Sequence, residues 1–249
     1  MIDTHAHLLM LEKQKEIIEN MTKNDMDFIV NIGTTLKDSI QGVEFAKKHE
    51  KVFTTVGIYP EYSLETTARD LEKLEELAKN EKVVAIGEIG LDYHYDYDKE
   101  SQKRLFVKQL EIADRLGLPF CIHCRDSASD VYEILKKNKH LINHSGLMHC
   151  YSEGKEWFEK FLGLGLYLSF SGNITYKKSD RSFLKDIPLD KILVETDSPY
   201  LSPEPLRGKK NEPKNVELVI EKIASEIGVS VEELKKITTE NAKKFYNLG

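Results

Sequence analysis

The sequence predicts an α/β fold, a TIM-type (β/α)8 barrel with extra C-terminal helices. Short apolar runs typical of strands alternate with amphipathic stretches typical of helices, and this alternation indicates parallel strands joined by helices. The length of 249 residues matches a single barrel domain spanning residues 1–249. A doubly wound open sheet is the alternative, but the sequence lacks the glycine-rich nucleotide-binding loops that usually favour it.

Eight short segments are the candidate strands of this barrel. In chain order they are Met1–His5, Phe28–Ile32, Val52–Gly57, Val83–Glu88, Pro119–His123, Gly146–His149, Leu166–Ser169 and Ile192–Glu195. Each is a brief apolar run of the length expected for a strand buried on both faces. Eight such strands in about 250 residues are what a closed barrel requires.

The helices are predicted from their amphipathic spacing and from the residues at their ends. The stretches Leu71–Asn80 and Gln102–Leu116 have this spacing, and Gly117 is expected to cap the C-terminus of the second. Two further helices are expected over Val216–Ile227 and Val231–Tyr246. They follow the last strand and therefore extend the barrel at its C-terminus.

The composition describes an acidic globular protein. The net charge of −6 argues against a protein that wraps nucleic acid non-specifically, because such domains are usually basic. The three cysteines are an odd number, which argues against a disulfide framework and favours a reducing compartment. No apolar run approaches the ~18 residues of a membrane span, and the N-terminus does not resemble a signal peptide. We expect a cytoplasmic protein with no membrane contact and no obligate protein partner.

Histidines and carboxylates gather at the predicted C-terminal ends of the strands, the face on which barrel enzymes carry their chemistry. These six candidate metal ligands are His5, His7, Glu88, His123, His149 and Asp197. His5 and His7 are two residues apart, so both side chains project to one side of an extended backbone. Asp3 has the same parity and is expected to hydrogen-bond a histidine.

A shared metal site accounts for this distribution better than six separate core residues. Glu88 closes an apolar run and needs a partner, a metal or an arginine, because an unpaired buried charge is costly. Mixed nitrogen and oxygen ligands suit zinc, manganese, nickel, cobalt or iron, and magnesium less well. Cys121 and Cys124 form a CxxC motif, but no second pair exists and strand alternation points them to opposite sides. We therefore interpret these thiols as core residues.

The motifs around these residues resemble the TatD family of metal-dependent deoxyribonucleases, within the wider metallo-dependent hydrolases. The resemblance covers nearly the whole chain. Its motifs are Ile2-Asp3-Thr4-His5-Ala6-His7, Gly87-Glu88-Ile89-Gly90-Leu91-Asp92, the helix residues Gln102, Phe106 and Gln109, Ile122-His123-Cys124-Arg125, His149-Cys150-Tyr151, Phe170-Ser171-Gly172, Glu195-Thr196-Asp197-Ser198-Pro199-Tyr200-Leu201 and Arg207-Gly208-Lys209-Lys210-Asn211-Glu212-Pro213.

The resemblance implies a site for two divalent metal ions and hydrolysis of DNA phosphodiester bonds. The implied ligands are His5, His7 and Asp197 for one ion, His123 and His149 for the other, and Glu88 as a bridge between them. One segment departs from the family. After the third strand the family often has Gly-Val-His-Pro-His, whereas this chain has Gly57-Ile58-Tyr59-Pro60-Glu61, so both histidines are replaced.

Five residues are predicted to act on substrate: Asp197 and Glu88 in catalysis, and Arg207, Arg125 and Tyr93 in binding. Asp197 is expected to take a proton from the attacking water. The two arginines are expected to contact phosphate, because the guanidinium fork matches phosphate oxygens. Basic residues are also expected near the catalytic face on the last two loops: Lys177, Lys178, Arg181, Lys209, Lys210 and Lys214.

Tyrosines on the loops after strands three, four and six are expected to stack unpaired bases, and some to pack the loops instead. They are Tyr59, Tyr62, Tyr93, Tyr95, Tyr97 and Tyr151. Nearby acidic residues, Asp92, Asp96 and Asp98, are expected to disfavour a long duplex footprint. Cleavage at single-stranded or frayed DNA ends is the leading hypothesis. The alternatives are a metal-dependent hydrolase of an aminoacyl-tRNA ester, amide or lactone, and a barrel that binds ligand without catalysis.

Overall fold

Eight parallel strands follow one another in chain order around a barrel in the computed structural model, which describes residues 1–248. The strands are β1 (Ile2–Ala6), β2 (Phe28–Asn31), β3 (Val52–Val56), β4 (Val83–Asp92), β5 (Phe120–Arg125), β6 (Gly146–Met148), β7 (Tyr167–Phe170) and β8 (Ile192–Val194). Strand β1 is joined to the segment that follows β8, since the amide of Asp197 donates to the carbonyl of His5 over 2.9 Å. The predicted TIM-type barrel is therefore confirmed.

Helices alternate with the strands and cover the outside of the barrel. They are α1 (Gln14–Glu19), α2 (Leu36–Ala46), α3 (Ala68–Ala78), α4 (Lys99–Leu116), α5 (Ala128–Lys137), α6 (Lys155–Gly163), α7 (Val216–Ile227) and α8 (Val231–Tyr246). Short 3-10 turns lie at Leu8–Met10, Pro60–Tyr62, Lys139–Leu141, Gly172–Thr175, Leu184–Asp186, Leu189–Lys191 and Pro213–Asn215. The extra C-terminal helices have the predicted bounds, and Gly117 caps α4 in the left-handed conformation, with φ 68°.

Strand β4 is longer than predicted, because it continues beyond Glu88 to Asp92. Gly90 makes this extension possible: its φ of 135° disfavours other residues, and a Cβ there would lie 2.1 Å from the carbonyl oxygen of His123. The close approach pairs Gly90 with His123 and Asp92 with Arg125. Consequently Asp92, which the sequence analysis assigned to an acidic surface, is buried at the end of the strand.

The C-terminal helix completes the core beneath the polar end of the barrel. Phe245 and Tyr246 of α8 pack in one cluster with residues of the strands, among them Ile2 and Leu193. The hydroxyl of Tyr246 donates to the carbonyl of Thr4 over 2.9 Å, one residue before a candidate ligand. Among the helices of residues 1–248, none combines the length and apolarity required to cross a membrane.

Candidate metal centre

The six predicted ligands come together at the C-terminal end of the barrel. His5 lies in β1, Glu88 in β4 and His123 in β5. The other three follow the end of a strand: His7 follows β1, His149 follows β6 and Asp197 follows β8. Their nitrogen and oxygen atoms form three overlapping groups, and within each group the atoms lie within 4.8 Å of one another. These groups are His5–His7–Glu88, Glu88–His123–His149 and His5–His149–Asp197.

Glu88 lies at the centre of this arrangement and is 3% exposed. Its Oε1 is 2.8 Å from Nδ1 of His123 and 2.9 Å from Nε2 of His149. Its Oε2 is 3.6 Å from Nε2 of His5. The two oxygens of one carboxylate therefore face different histidines, Oε1 facing His123 and His149 and Oε2 facing His5.

The hydrogen bonding of His5 fits a site that holds cations. This side chain is fully buried, and within residues 1–248 neither of its ring nitrogens has a hydrogen-bond partner. The nearest carboxylate oxygens, from Glu88 and Asp197, are each 3.6 Å from Nε2. An unpaired buried polar group costs about 1–3 kcal/mol. A divalent ion bound between Nε2 and these carboxylates would give each of them a partner. Imidazole and carboxylate together are a donor set that suits such ions.

Asp197 and His7 lie beside each other on the other side of the centre. Asp197 Oδ1 is 3.3 Å from Nε2 of His7. The backbone of Asp197 is left-handed, with φ 55°, a conformation that aspartate tolerates better than most residues. Asp3 does not contact a histidine ring as expected. It accepts instead from the backbone amides of His5 and Thr196 and from the Thr196 hydroxyl, so it joins β1 to the end of β8.

Two carboxylates that the sequence analysis did not assign to the site orient the remaining histidines. Asp92 Oδ2 lies 3.2 Å from Nε2 of His123, and Glu195 Oε1 lies 3.2 Å from Nδ1 of His149. The parity of the strand could have indicated Asp92, because it lies four residues after Glu88 and so faces the same side. Carboxylates in this role fix the tautomer of a metal-binding histidine.

The electrostatics of the centre follow from burial and from the close pairing of acids with imidazoles. Burial disfavours the charge on Glu88, but His149, His123 and His5 outweigh it and hold the pKa of Glu88 well below its ordinary value. Burial likewise opposes ionisation of Asp92, yet hydrogen bonds from His123 and Tyr59 lower the pKa of Asp92 to about 2. Both carboxylates are therefore anionic at neutral pH, as metal ligands and their supporting acids must be.

A pocket of about 850 Å³ opens above the centre. Its lining includes five tyrosines: Tyr59, Tyr62, Tyr95, Tyr97 and Tyr200. Two predicted tyrosines do not line it. Tyr151 is buried, and its hydroxyl donates to the carbonyl of Gly154, while the hydroxyl of Tyr93 donates to Asp130 over 2.6 Å. The structure thus brings most of the expected aromatics to the mouth but directs Tyr93 towards α5.

Positive charge at this pocket is confined to one side chain. Of the lysines and arginines in residues 1–248, Arg125 is the one that lines the pocket, and its guanidinium lies 5.7 Å from the ring centre of Tyr95. Arg207 is exposed outside the lining, 4.3 Å above the ring of Tyr176. Arg181, by contrast, is held by backbone carbonyls and by Glu226, 3.0 Å away.

The three thiols lie at different depths. Cys121 is buried, with its sulfur 3.7 Å from the Tyr246 hydroxyl, as expected for a core residue. Cys124 lies partly exposed in the pocket lining, so the CxxC cysteines point in different directions. Cys150 also lines the pocket, and its sulfur is 3.0 Å from the hydroxyl of Ser171. Burial raises the pKa of all three thiols, which disfavours the thiolate form that metal binding needs.

A parallel barrel whose strand ends present histidines and carboxylates around one buried glutamate defines the class of metal-dependent hydrolases. The comparisons with known proteins place the chain within that class. A family model described as TatD related DNase matches residues 2–247, and the chain belongs to this family.

Relatives and solved structures agree with this assignment. The chain is 38% identical to a Bacillus subtilis protein named uncharacterized metal-dependent hydrolase YabD, over 100% of both chains. It is 35% identical to the Escherichia coli uncharacterized metal-dependent hydrolase YcfH, over 100% of this chain and 96% of the relative. The crystal structure of the Escherichia coli TatD homolog YJJV superposes with a TM-score of 0.94 at 24% identity, covering 100% and 98% of the two chains. That superposition shows the shared fold.

The central position of Glu88 leads to a prediction about metal content. Glu88→Gln should lose at least one ion per chain, because a neutral amide binds a cation far more weakly than a carboxylate does. Elemental analysis after gel filtration measures the content, and circular dichroism checks the fold. Glu61→Gln is the matched control, since Glu61 lines the same pocket but is not in any of the ligand groups. Full metal content in Glu88→Gln would remove Glu88 from the ligand set.

Proposed function

We propose that this barrel domain is a two-metal phosphodiesterase that cleaves DNA at single-stranded or frayed ends in the cytoplasm. The observation that carries the proposal is the placement of Glu88, whose two carboxylate oxygens face separate histidine groups at the floor of an open pocket. Two-metal sites of this kind serve in-line displacement at phosphorus, where attacking and leaving oxygens both need stabilisation. The family to which the chain belongs is described as related to DNases, which agrees with this chemistry.

The proposed ligands divide between two ions. His5, His7 and Asp197 would hold one, His123 and His149 would hold the other, and Glu88 would contribute to both. When bound, divalent ions polarise a phosphoryl oxygen and lower the pKa of a coordinated water to near neutrality. Zinc, manganese, nickel, cobalt and magnesium are the candidates, and the imidazoles favour the first four.

The protein's own groups then position and deprotonate the reactants. Asp197 lines the pocket with a pKa held below its ordinary value: burial opposes ionisation, but His7 and His5 outweigh it. We propose that its carboxylate accepts the proton of the attacking water. Arg125 is the proposed phosphate contact, because its exposed guanidinium lines the same pocket and its fork matches phosphate oxygens.

The side chains at the rim of the pocket favour unpaired nucleotides as the substrate. Tyr95 and Tyr97 follow β4 on one side, whereas Tyr200 and Met10 follow β8 and β1, across the barrel. Three of these side chains, Tyr95, Tyr200 and Met10, are 50–57% exposed, so their apolar surfaces are open to a ligand in the pocket. Bases splayed out from a single strand stack on such rings, at about 1–3 kcal/mol each, whereas paired bases within a duplex are not available.

A comparison of DNA substrates tests this function. The rate on a single strand labelled at the 5′ or 3′ end should exceed the rate on a covalently closed duplex circle, with Mg²⁺, Mn²⁺, Co²⁺ or Zn²⁺ supplied in parallel. Faster cleavage of the circle would contradict action at ends. Turnover of an aminoacyl-tRNA ester, an amide or a lactone, with no cleavage of DNA, would replace the nuclease by the acyl hydrolase.

Removal of the single pocket arginine should weaken catalysis without loss of metal. We expect Arg125→Ala to lower kcat/KM by about 1–3 kcal/mol, roughly five- to 150-fold, because a charge-assisted hydrogen bond to phosphate is lost. Arg207→Ala should lower kcat/KM by no more than about 1 kcal/mol, since Arg207 is exposed and lies outside the pocket. Arg115→Ala, far away on α4 and paired with Glu75, is the control. Equal activity of Arg125→Ala and Arg115→Ala would reject the phosphate contact.

A further inference from the structure

The two histidines that share Glu88 Oε1 present different ring nitrogens to it. His123 uses Nδ1, at 2.8 Å, and His149 uses Nε2, at 2.9 Å. Each has its other nitrogen directed at a carboxylate, and an ionised carboxylate only accepts hydrogen bonds. With an ion bound beside Glu88, each ring would keep its one hydrogen on that far nitrogen and present the lone pair of the near nitrogen to the ion.

Each of these carboxylates is in turn bonded to a hydroxyl. Ser169 donates to Oε2 of Glu195, behind His149. Behind His123, the hydroxyl of Tyr59 donates to Oδ2 of Asp92 over 2.7 Å. The Tyr59 oxygen is also 3.0 Å from Nε2 of His123, closer than the carboxylate at 3.2 Å. Tyr59 can thus accept from the imidazole while it donates to the acid.

Helix α4 holds both members of the Tyr59–Asp92 pair in place. The side chain of Gln102 accepts from the backbone amide of Asp92 over 2.8 Å and donates to its carbonyl over 2.9 Å. Gln109, two turns further along, makes the same pair of bonds to the backbone of Ile58, the residue before Tyr59, over 2.7 and 2.9 Å. Both glutamines are fully buried, so these bonds are shielded from water. One helix therefore sets the distance between the phenol and the acid.

We infer that Tyr59 is a positioning residue that, with Asp92, fixes the ring of His123 and so tunes the affinity of the ion held by Glu88, His123 and His149. The role is selective. In residues 1–248, Tyr59 bonds to His123 and Asp92 and to no ligand of the His5 and His7 side.

The inference rests on the metal centre of the proposed function, and metal titration tests it without any substrate. Zn²⁺ or Mn²⁺ is titrated into metal-free protein against a chromogenic chelator, so that two binding events are resolved. Tyr59→Phe removes the hydroxyl and keeps the ring. We expect one of the two dissociation constants to rise about 10- to 100-fold, the usual effect of losing a group that orients a ligand, and the other to stay within about twofold.

Two further variants, a control and a rescue, show whether that result comes from the Tyr59 hydroxyl. Tyr97→Phe is the matched control, because it removes a pocket hydroxyl that donates to Glu61 and to no metal ligand among residues 1–248. It should leave both constants unchanged. Tyr59→His should restore the affinity, since an imidazole can donate to Asp92 in place of the phenol. Unchanged binding in Tyr59→Phe, or an equal loss at both ions, would overturn the inference. If the dissociation constants change as expected but the protein cuts no DNA, only the proposed function would be overturned.

Discussion

Burial of the Glu88 carboxylate among imidazoles, with no lysine or arginine paired to it in residues 1–248, is the constraint on which the site depends. Transfer of an ionised acid out of water costs several kcal/mol unless other charges and hydrogen bonds compensate. Three histidines face it, and their proximity holds the pKa of Glu88 well below its ordinary value although burial opposes ionisation. A cation bound by the same groups would compensate the buried charge further. The chain has thus gathered histidines and carboxylates around one buried acid.

The barrel supplies the geometry that this constraint requires. Parallel strands place all their C-terminal ends on one face, so side chains from β1, β4 and β5 converge although they are distant in sequence. The Asp3 carboxylate joins β1 to the segment after β8 through Thr196, which keeps His5 close to Asp197. Behind the histidines stands a second layer of hydroxyl–carboxylate pairs. In these pairs the carboxylates of Asp92 and Glu195 each face the histidine nitrogen that points away from Glu88.

Much of this arrangement could be predicted from the sequence, and the failures have physical causes. The ligands were identifiable because each ends an apolar run, and α7 and α8 were identifiable because their apolar periodicity is uninterrupted. Asp92 was misassigned because the strand was expected to stop at Glu88. Its continuation depends on Gly90, whose close approach to β5 is a tertiary contact that local patterns do not encode. Side-chain direction was the other gap: nothing in the sequence shows that Tyr93 turns towards Asp130.

The role of Tyr59 illustrates the same limit. Sequence comparison marks it as a departure from the family, but only the distances to Asp92 and His123 show what the phenol contacts. The departure exchanges one hydrogen-bonding group for another and leaves the ligands intact. By contrast, the exchange at Glu61 adds an acid to the rim, where it accepts from Tyr97.

Anomalous diffraction from crystals grown with Mn²⁺ would locate the ions that Glu88 is proposed to hold. We expect two peaks about 3.5–4 Å apart, one on each side of the Glu88 carboxylate, with the second peak near Nδ1 of His123 and Nε2 of His149. A single peak bound by His5 and His7 alone, or a metal held by Cys124 or Cys150 in place of Glu88, would contradict this proposal.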